Sequence, residues 1–345
     1  MDLRQLSALM AIADHGSFSA AAEALSTVQS NVSAHVKRLE LELNTVLVER
    51  STGELTEAGR LVVGRARRAR AELDALMSDV LALNHDVAGT VRIGIIGTTA
   101  RWLVPRLLDL VPERYPLLRQ VFMESTTNAL EIELRSGNVD LAVWNLQQET
   151  SELSLTPLFE EDLVLVVDQE HPLATAGEIS ITELVETPLL LPLRGTAFRR
   201  EIDLASRPHG VDLTARAELD GTRLIASLVF EGYGPAILPT TSVPSYLSDR
   251  WARVAIRELQ PRVVGVAQRA RAQPSAPARA IFDVLTSIIR EAELVPRGLR
   301  PLVGNDRHRG DCSVEPTVQL HQRPSASATS AKAAGVRPRR TAARP

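Results

Sequence analysis

Cysteine occurs once in these 345 residues, at Cys312. A single thiol cannot close a disulfide within the chain, nor can it supply a cysteine-based zinc cluster. Lysine is nearly as scarce: Lys37 and Lys332 are the two in the chain, so arginine carries almost all the positive charge. No apolar run approaches the roughly 20 residues of a membrane-spanning helix. The opening MDLRQLSALMAIADHGSFS is broken by Asp14 and His15 where a secretory signal would stay apolar. A cytoplasmic protein with no membrane partner is expected. The seven histidines show no metal-ligand spacing, and neither GxSxG nor a P-loop is present. The acidic triplet Glu160-Glu161-Asp162 reads as a solvated strand edge, because adjacent carboxylates do not make a positioned acid/base pair. The expectation is a protein with no catalytic residue, no metal and no cofactor.

Charge is unevenly distributed. Pro296 to Pro345 hold 10 Lys+Arg against 3 Asp+Glu, which leaves 29 against 39 for the rest of the chain. This end is rich in Pro, Ser and Ala and lacks apolar periodicity, so 293–345 is predicted to be a disordered basic tail.

At the other end, Leu3, Leu6, Leu9, Met10 and Ala13 recur at helical spacing and stop at Gly16. Ser17 is placed to cap a second helix, FSAAAEAL, and Thr27 to cap a third. The third carries a thin seam of Val32, Val36, Leu39 and Leu43 and ends at Asn44, a residue that tolerates the left-handed cap conformation. Its other face is unusual: Gln29, Ser30, Asn31 and Ser33 are short and polar where a solvated helix carries Glu and Lys. Helix, short turn, helix is the layout of a helix-turn-helix DNA reader. Small hydrogen-bonding groups can enter the major groove, Gln and Asn pairing with adenine and Ser with several base edges. Farther along, His35, Lys37 and Arg38 can reach phosphates. The competing reading is a solvated helix in an all-α bundle. Residues 1 to 65 are mildly acidic, with 6 Lys+Arg against 8 Asp+Glu, so tight DNA binding would require clustered positives and more than one copy.

The next segment supplies a route to that second copy. Thr56 caps a long helical run in which Val62, Ala66, Ala69, Leu73, Leu76, Val80 and Leu83 follow alternating steps of four and three. One helix with one apolar stripe cannot bury it alone, and a homodimer or homotetramer is expected. The alternative is a stripe packed on its own domain.

The string FSAAAEALSTVQSNVSAHVKRLELELNTVLVER, then LTEAG, then this long helix resemble the LysR-type transcriptional regulators, over residues 1 to about 292. The resemblance implies base contacts from Gln29, Ser30 and Ser33 and a wing near Val46 to Leu55, whose one basic residue, Arg50, extends to touch the minor groove. Asn44 stands where the family usually has Gly, and Ala34 where many members carry a long polar residue.

From Gly89 the pattern changes to apolar strands alternating with helices, which implies parallel β-structure with crossover helices. The expected strands are 90–96, 118–124, 139–145, 162–168, 188–193, 214–219, 234–239 and 262–269; the expected helices are 100–116, 128–136, 196–206, 221–231 and 275–291. There is room for two α/β lobes, about 89–162 with 266–292 and about 163–265. This layout resembles the family's effector domain, which looks like a periplasmic binding protein. The expected fold is thus multidomain α+β: a winged helix-turn-helix over 1–58, a linker and dimerisation helix over 59–88 and a bilobal α/β domain over 89–292. Thr98 with Thr99, Thr126 and Thr196 fall at strand-to-helix junctions. Helix N-termini bind anions through free amides and the dipole, and the resemblance places effector contacts at such positions. The alternative for each threonine is a plain N-cap. Arg101 and Arg194 could add charge. The expected function is a sequence-specific DNA-binding transcriptional regulator, with double-stranded DNA and a small anionic effector as partners. The alternatives are a solute-binding protein and an enzyme with a fused DNA-binding head.

Overall fold

The protein is described by a computed structural model that covers residues 1–83, 87–146, 151–243, 250–270, 272–291, 295–296 and 298–303. The first helix, α1 (Leu3–His15), starts at a capping box: Asp2 accepts from the Gln5 amide and Gln5 from the Asp2 amide. It ends at Gly16 in the left-handed region. Helix α2 (Phe18–Ala24) is capped by Ser17. Helix α3 (Gln29–Leu43) ends on left-handed Asn44, but its N-cap is Val28, which has no capping side chain. Thr27 sits one residue too early to cap it and accepts instead from the Asn31 side-chain amide at 3.0 Å. The wing closes at the Val48–Leu55 bridge, and the Glu40 carboxylate ties it to α3 by accepting from the Leu47 and Val48 amides.

Helix α4 (Glu57–Ala82) is capped by Thr56, as expected. At Gly59 an added Cβ would lie 2.1 Å from the Leu47 carbonyl oxygen, so only glycine lets α4 approach the wing this closely. The apolar stripe then divides. Val62 and Ala66 pack into the core of the N-terminal domain with Leu9, Ile12 and Val36. Leu73, Leu76, Val80 and Leu83 are exposed. Farther along, α4 rests on the second half of the chain.

That half alternates strands and helices. Lobe I begins with β1 (Gly89–Ile95), α5 (Gly97–Arg114), β2 (Leu118–Glu124), α6 (Thr127–Ser136), β3 (Leu141–Asn145) and β4 (Leu153–Glu161). The chain crosses at Asp162 into lobe II: β5 (Leu163–Asp168), β6 (Glu178–Ile179), β7 (Leu189–Pro192), α7 (Ala197–Ser206), β8 (Ala215–Leu219), α8 (Thr222–Phe230), β9 (Ala236–Pro239) and β10 (Trp251–Ile256). It returns to lobe I through β11 (Arg262–Arg269), α9 (Ala276–Arg290) and β12 (Leu299–Pro301). Asp79 of α4 accepts from the Ala276 amide at the start of α9 at 2.7 Å, and Arg68 donates to the Arg135 carbonyl at the end of α6 at 3.3 Å.

The lobe I sheet has the order β12-β4-β11-β3-β1-β2. Strands β1, β2 and β3 are parallel; β11, β4 and β12 run antiparallel to their neighbours. The sheet is therefore mixed rather than wholly parallel. Strand β4 was not expected, because Pro157 interrupts its pattern. Its partner explains the tolerance: Pro157 lies opposite Gly265 at a register shift, where the missing Cβ leaves room for the irregular strand. Residues 262–265, expected in the second lobe, pair along β3 and β4 in the first. The expected disordered tail also begins too early: β12 is an ordered strand with Leu299 in the lobe I core. Residues 304–345 lie outside the described residues. Among the described residues no helix is long and apolar enough to cross a membrane.

Candidate functional site

Two surfaces carry the expected site residues. On α3 the apolar seam Val32, Val36 and Leu39 is buried against α1, which turns the opposite face outward. Gln29, Ser30 and Asn31 are exposed there, as are Lys37 and Arg38. Gln29 accepts from the Ser19 hydroxyl at 3.2 Å, which orients its side chain at the start of the helix. Ser33 and His35 are half-buried. The Ser33 hydroxyl accepts from Arg50 at 3.2 Å, while a second nitrogen of Arg50 binds Glu40 at 2.8 Å and the guanidinium lies 5.0 Å from the Phe18 ring centre. Arg50, expected to extend from the wing, is thus folded back onto α2 and α3. The wing's single positive charge is partly neutralised, because Glu40 already serves the wing amides and offers Arg50 its second oxygen.

The second surface is a cleft between the lobes with a volume of about 280 Å³. Four helix N-termini converge on it: α5 at Gly97 and Thr98, α6 at Thr126 and Thr127, α7 at Thr196 and Ala197, α8 at Gly221 and Thr222. Each end carries about half a positive charge in its unsatisfied amides. Thr126 caps α6 by accepting from the Ala129 amide, and Thr196 caps α7 by accepting from the Arg199 amide. The other two helices start at Ile96 and Gly221 with no capping side chain. Their first-turn amides are left to a ligand or to water.

Thr98 lines this cleft, but Thr99 does not; its side chain is wholly buried and its hydroxyl has no partner among the described residues. The two positions are about 100° apart on the helix, so they cannot share one face. The expectation that both face the cleft is corrected to Thr98 alone. Arg194 pairs with Glu218 and Asp212 on the exposed side of lobe II and is absent from the cleft lining.

Residues without a local sequence signal complete the site. Arg262, 7% exposed, lines the cleft floor. Its Nε and Nη2 donate to the Glu161 carboxylate at 2.9 and 2.6 Å, and Nη2 also donates to the Thr98 hydroxyl at 2.9 Å. Having accepted from Arg262, Thr98 keeps its own proton to donate, and Nη1 of Arg262 has no partner among the described residues. Glu161 is fully buried and also accepts from the amide and hydroxyl of Thr241 in lobe II. The acidic triplet is therefore not a solvated edge, since its central member anchors a buried ion pair. Across the cleft mouth Arg223 of α8 pairs with Glu124 at the end of β2, and Asn145 of β3 donates to Glu201 of α7. Among the described residues no cluster of side chains could hold a metal ion.

Comparison with known proteins finds a family match over each half of the chain. The sequence model described as "Bacterial regulatory helix-turn-helix protein, lysR family" matches residues 3–60, and that described as "LysR substrate binding domain" matches residues 84–289. A probable hydrogen peroxide-inducible genes activator from Streptomyces viridosporus is 32% identical, over 84% of this chain and 94% of its own length. The DNA-binding transcriptional dual regulator OxyR of Escherichia coli K12 is 27% identical, over 84% of this chain and 95% of its own. Among solved structures, full-length OxyR from Pseudomonas aeruginosa superposes with a TM-score of 0.69 at 25% identity, covering 87% of this chain and 97% of that one.

Proposed function

This chain belongs to the LysR family of DNA-binding transcriptional regulators, with an N-terminal helix-turn-helix and a C-terminal effector-binding domain, and from that premise we propose which residues carry each task. Gln29, Ser30 and Asn31 read base edges in the major groove, with Ser33 beside them bound to Arg50. Lys37 and Arg38 hold phosphates, with His35 close by. Leu73, Leu76, Val80 and Leu83 of α4 meet their counterparts in a second copy. Ala69 falls between these and the Val62 end, which is packed within the chain. The protein works in the cytoplasm, where its DNA is.

The effector is a small anion seated between the lobes. The observation that carries this reading is the convergence of four helix N-termini on one cleft whose floor is a buried arginine. Thr98, Thr126 and Thr196 sit at those ends, and Arg262 and the freed Thr98 proton present donors to an acceptor group on the ligand. The Streptomyces viridosporus relative named above is a probable activator of hydrogen peroxide-inducible genes. An internal disulfide requires two thiols, and this chain has the single Cys312, beyond the matched effector domain. No response that depends on a disulfide within this chain is proposed. A ligand shifts the balance of two protomer geometries only by preferring one of them, and closure of the lobes on an anion supplies that preference.

Footprinting and gel shift on the DNA flanking the protein's own gene test the regulator reading. A protected site that survives moderate salt is expected, and binding without sequence preference would refute it. A thermal-shift series of small carboxylates and phosphates against their uncharged amides or alcohols tests the effector class. A saturable rise in melting temperature with the anions alone is expected.

A further inference from the structure

Asp162 is where the chain first crosses between the lobes, and its polar groups face three ways. Its carbonyl accepts from the Thr240 amide of lobe II at 2.9 Å, and its amide donates to the Gly298 carbonyl at 3.3 Å. Its two carboxylate oxygens accept from the two Nη nitrogens of Arg300 at 2.7 and 3.1 Å, while Nε of Arg300 reaches Glu160 at 3.1 Å. These contacts place β12 antiparallel along the edge of β4, with Leu299 opposite Glu161 and the Leu302 amide donating to the Leu158 carbonyl at 2.9 Å. At Gly298 the backbone is left-handed (φ 86°), and a Cβ would come 2.7 Å from Thr240 Cγ2. The segment therefore joins lobe I by its strand and abuts lobe II by its turn. Between the two carboxylates held by Arg300 stands Glu161, the buried group that grips Arg262 and, through it, Thr98 at the cleft.

We propose that residues 298–303 form a strap that sets the geometry of the effector cleft by clamping the first interlobe crossing, with Arg300 as its positioning residue. The proposal rests on the effector-cleft reading but not on the chemistry of the ligand. The strap lies past residue 289, where the match to the family's effector domain ends. Opening or closing the lobes turns the chain at Asp162 and at the return between β10 and β11. A bidentate guanidinium–carboxylate pair fixes orientation as well as distance, and the strand pairing adds main-chain bonds at the same residues. The crossing can turn only if the strap turns with it or lets go. Arg300 and its two acids are each more than one-third exposed, so this clamp contributes little to global stability. Its effect is local to the crossing and, through Glu161 and Arg262, to the cleft.

The test uses the full chain without ligand, comparing wild type with Arg300→Ala and Arg300→Lys. Hydrogen exchange reads the Thr240 and Thr241 amides, which bond to Asp162 and Glu161 and make no hydrogen bond to the strap. Spin labels at Ile132→Cys on lobe I and Leu204→Cys on lobe II, both exposed and placed in a Cys312→Ser background, read the interlobe distance. Arg300→Ala is expected to speed exchange at both amides by roughly fivefold or more, to broaden the distance distribution and to leave the melting temperature near that of wild type. Arg300→Lys, which keeps the charge without the fork, restores part of both. Unchanged exchange with the wild-type distance distribution would overturn the proposal. So would uniform acceleration across lobe I with a lowered melting temperature, since that marks a strand that only caps the sheet. Failure of the DNA-binding experiments would sink the regulator reading and leave these outcomes unaffected.

Discussion

Removing Arg262 should cost the effector domain far more than removing Arg262 and Glu161 together. Glu161 receives four hydrogen bonds, two from Arg262 and two from Thr241, at zero exposure. Arg262→Met deletes the first two and leaves a carboxylate in the interior without its counter-charge. Breaking a buried pair from one side costs about 3–5 kcal/mol. The Thr241 donors stay in place, so the lower end applies: about 3 kcal/mol, or roughly a hundredfold in the folding equilibrium at 1.4 kcal/mol per decade. Glu161→Gln with Arg262→Met removes both charges and keeps an acceptor oxygen for the Thr241 amide and hydroxyl, and should fall within about 1 kcal/mol of wild type. Urea unfolding followed by tryptophan fluorescence isolates the relevant domain, because Trp102, Trp144 and Trp251 all belong to it. A cost below about 1 kcal/mol for Arg262→Met, or a double variant worse than the single one, would refute the buried-pair account.

Leu76→Asp with Val80→Asp puts two charges into the exposed stripe of α4, where Leu76 is 56% and Val80 53% exposed. The monomer should fold as before, while sedimentation shows the oligomer dissociated and gel shifts show weaker DNA binding. An unchanged oligomer would remove α4 from the interface. Asp140 is a carboxyl whose burial pushes its pKa up, against the opposing pull of the Arg92 amide hydrogen bond and charge. The folded state then holds the proton more tightly than the unfolded chain, so stability from this group is greatest at low pH and declines as pH rises from the ordinary carboxylate value through the raised one. Asp140→Asn should remove that decline, which melting curves across weakly acidic pH would show.

Local chemistry was readable in the sequence, and distant pairing was not. Ser17, Thr56 and Gly16 mark helix ends because a cap is decided by residues within four positions. The period of α4 was equally visible, but not that Val62 and Ala66 pack within the chain while Leu73 to Leu83 do not. That division depends on where the N-terminal core stops. Pro157 hid β4 because its compensation, Gly265, lies 108 positions away, the difference between the two residue numbers. Thr98 was found as a strand-to-helix junction; its partner Arg262 was not, since it looks like an ordinary strand start until Glu161 is brought beside it. Thr99 failed for a simpler reason, because adjacent helical residues face different ways. Arg300 lay in a stretch whose composition reads as tail, and only the carboxylates of Glu160 on β4 and Asp162 just beyond it give it a place.

The central claim is that the exposed start of α3 reads base edges while its later cations bind only backbone. The most direct measurement is the ratio of specific to non-specific DNA affinity for Gln29→Ala and Lys37→Ala at one fixed salt concentration. Gln29→Ala should lower the ratio by the equivalent of about 1–3 kcal/mol, whereas Lys37→Ala should weaken both affinities alike and leave the ratio near wild type. A ratio unchanged by Gln29→Ala, or one lowered equally by the two substitutions, would contradict the account.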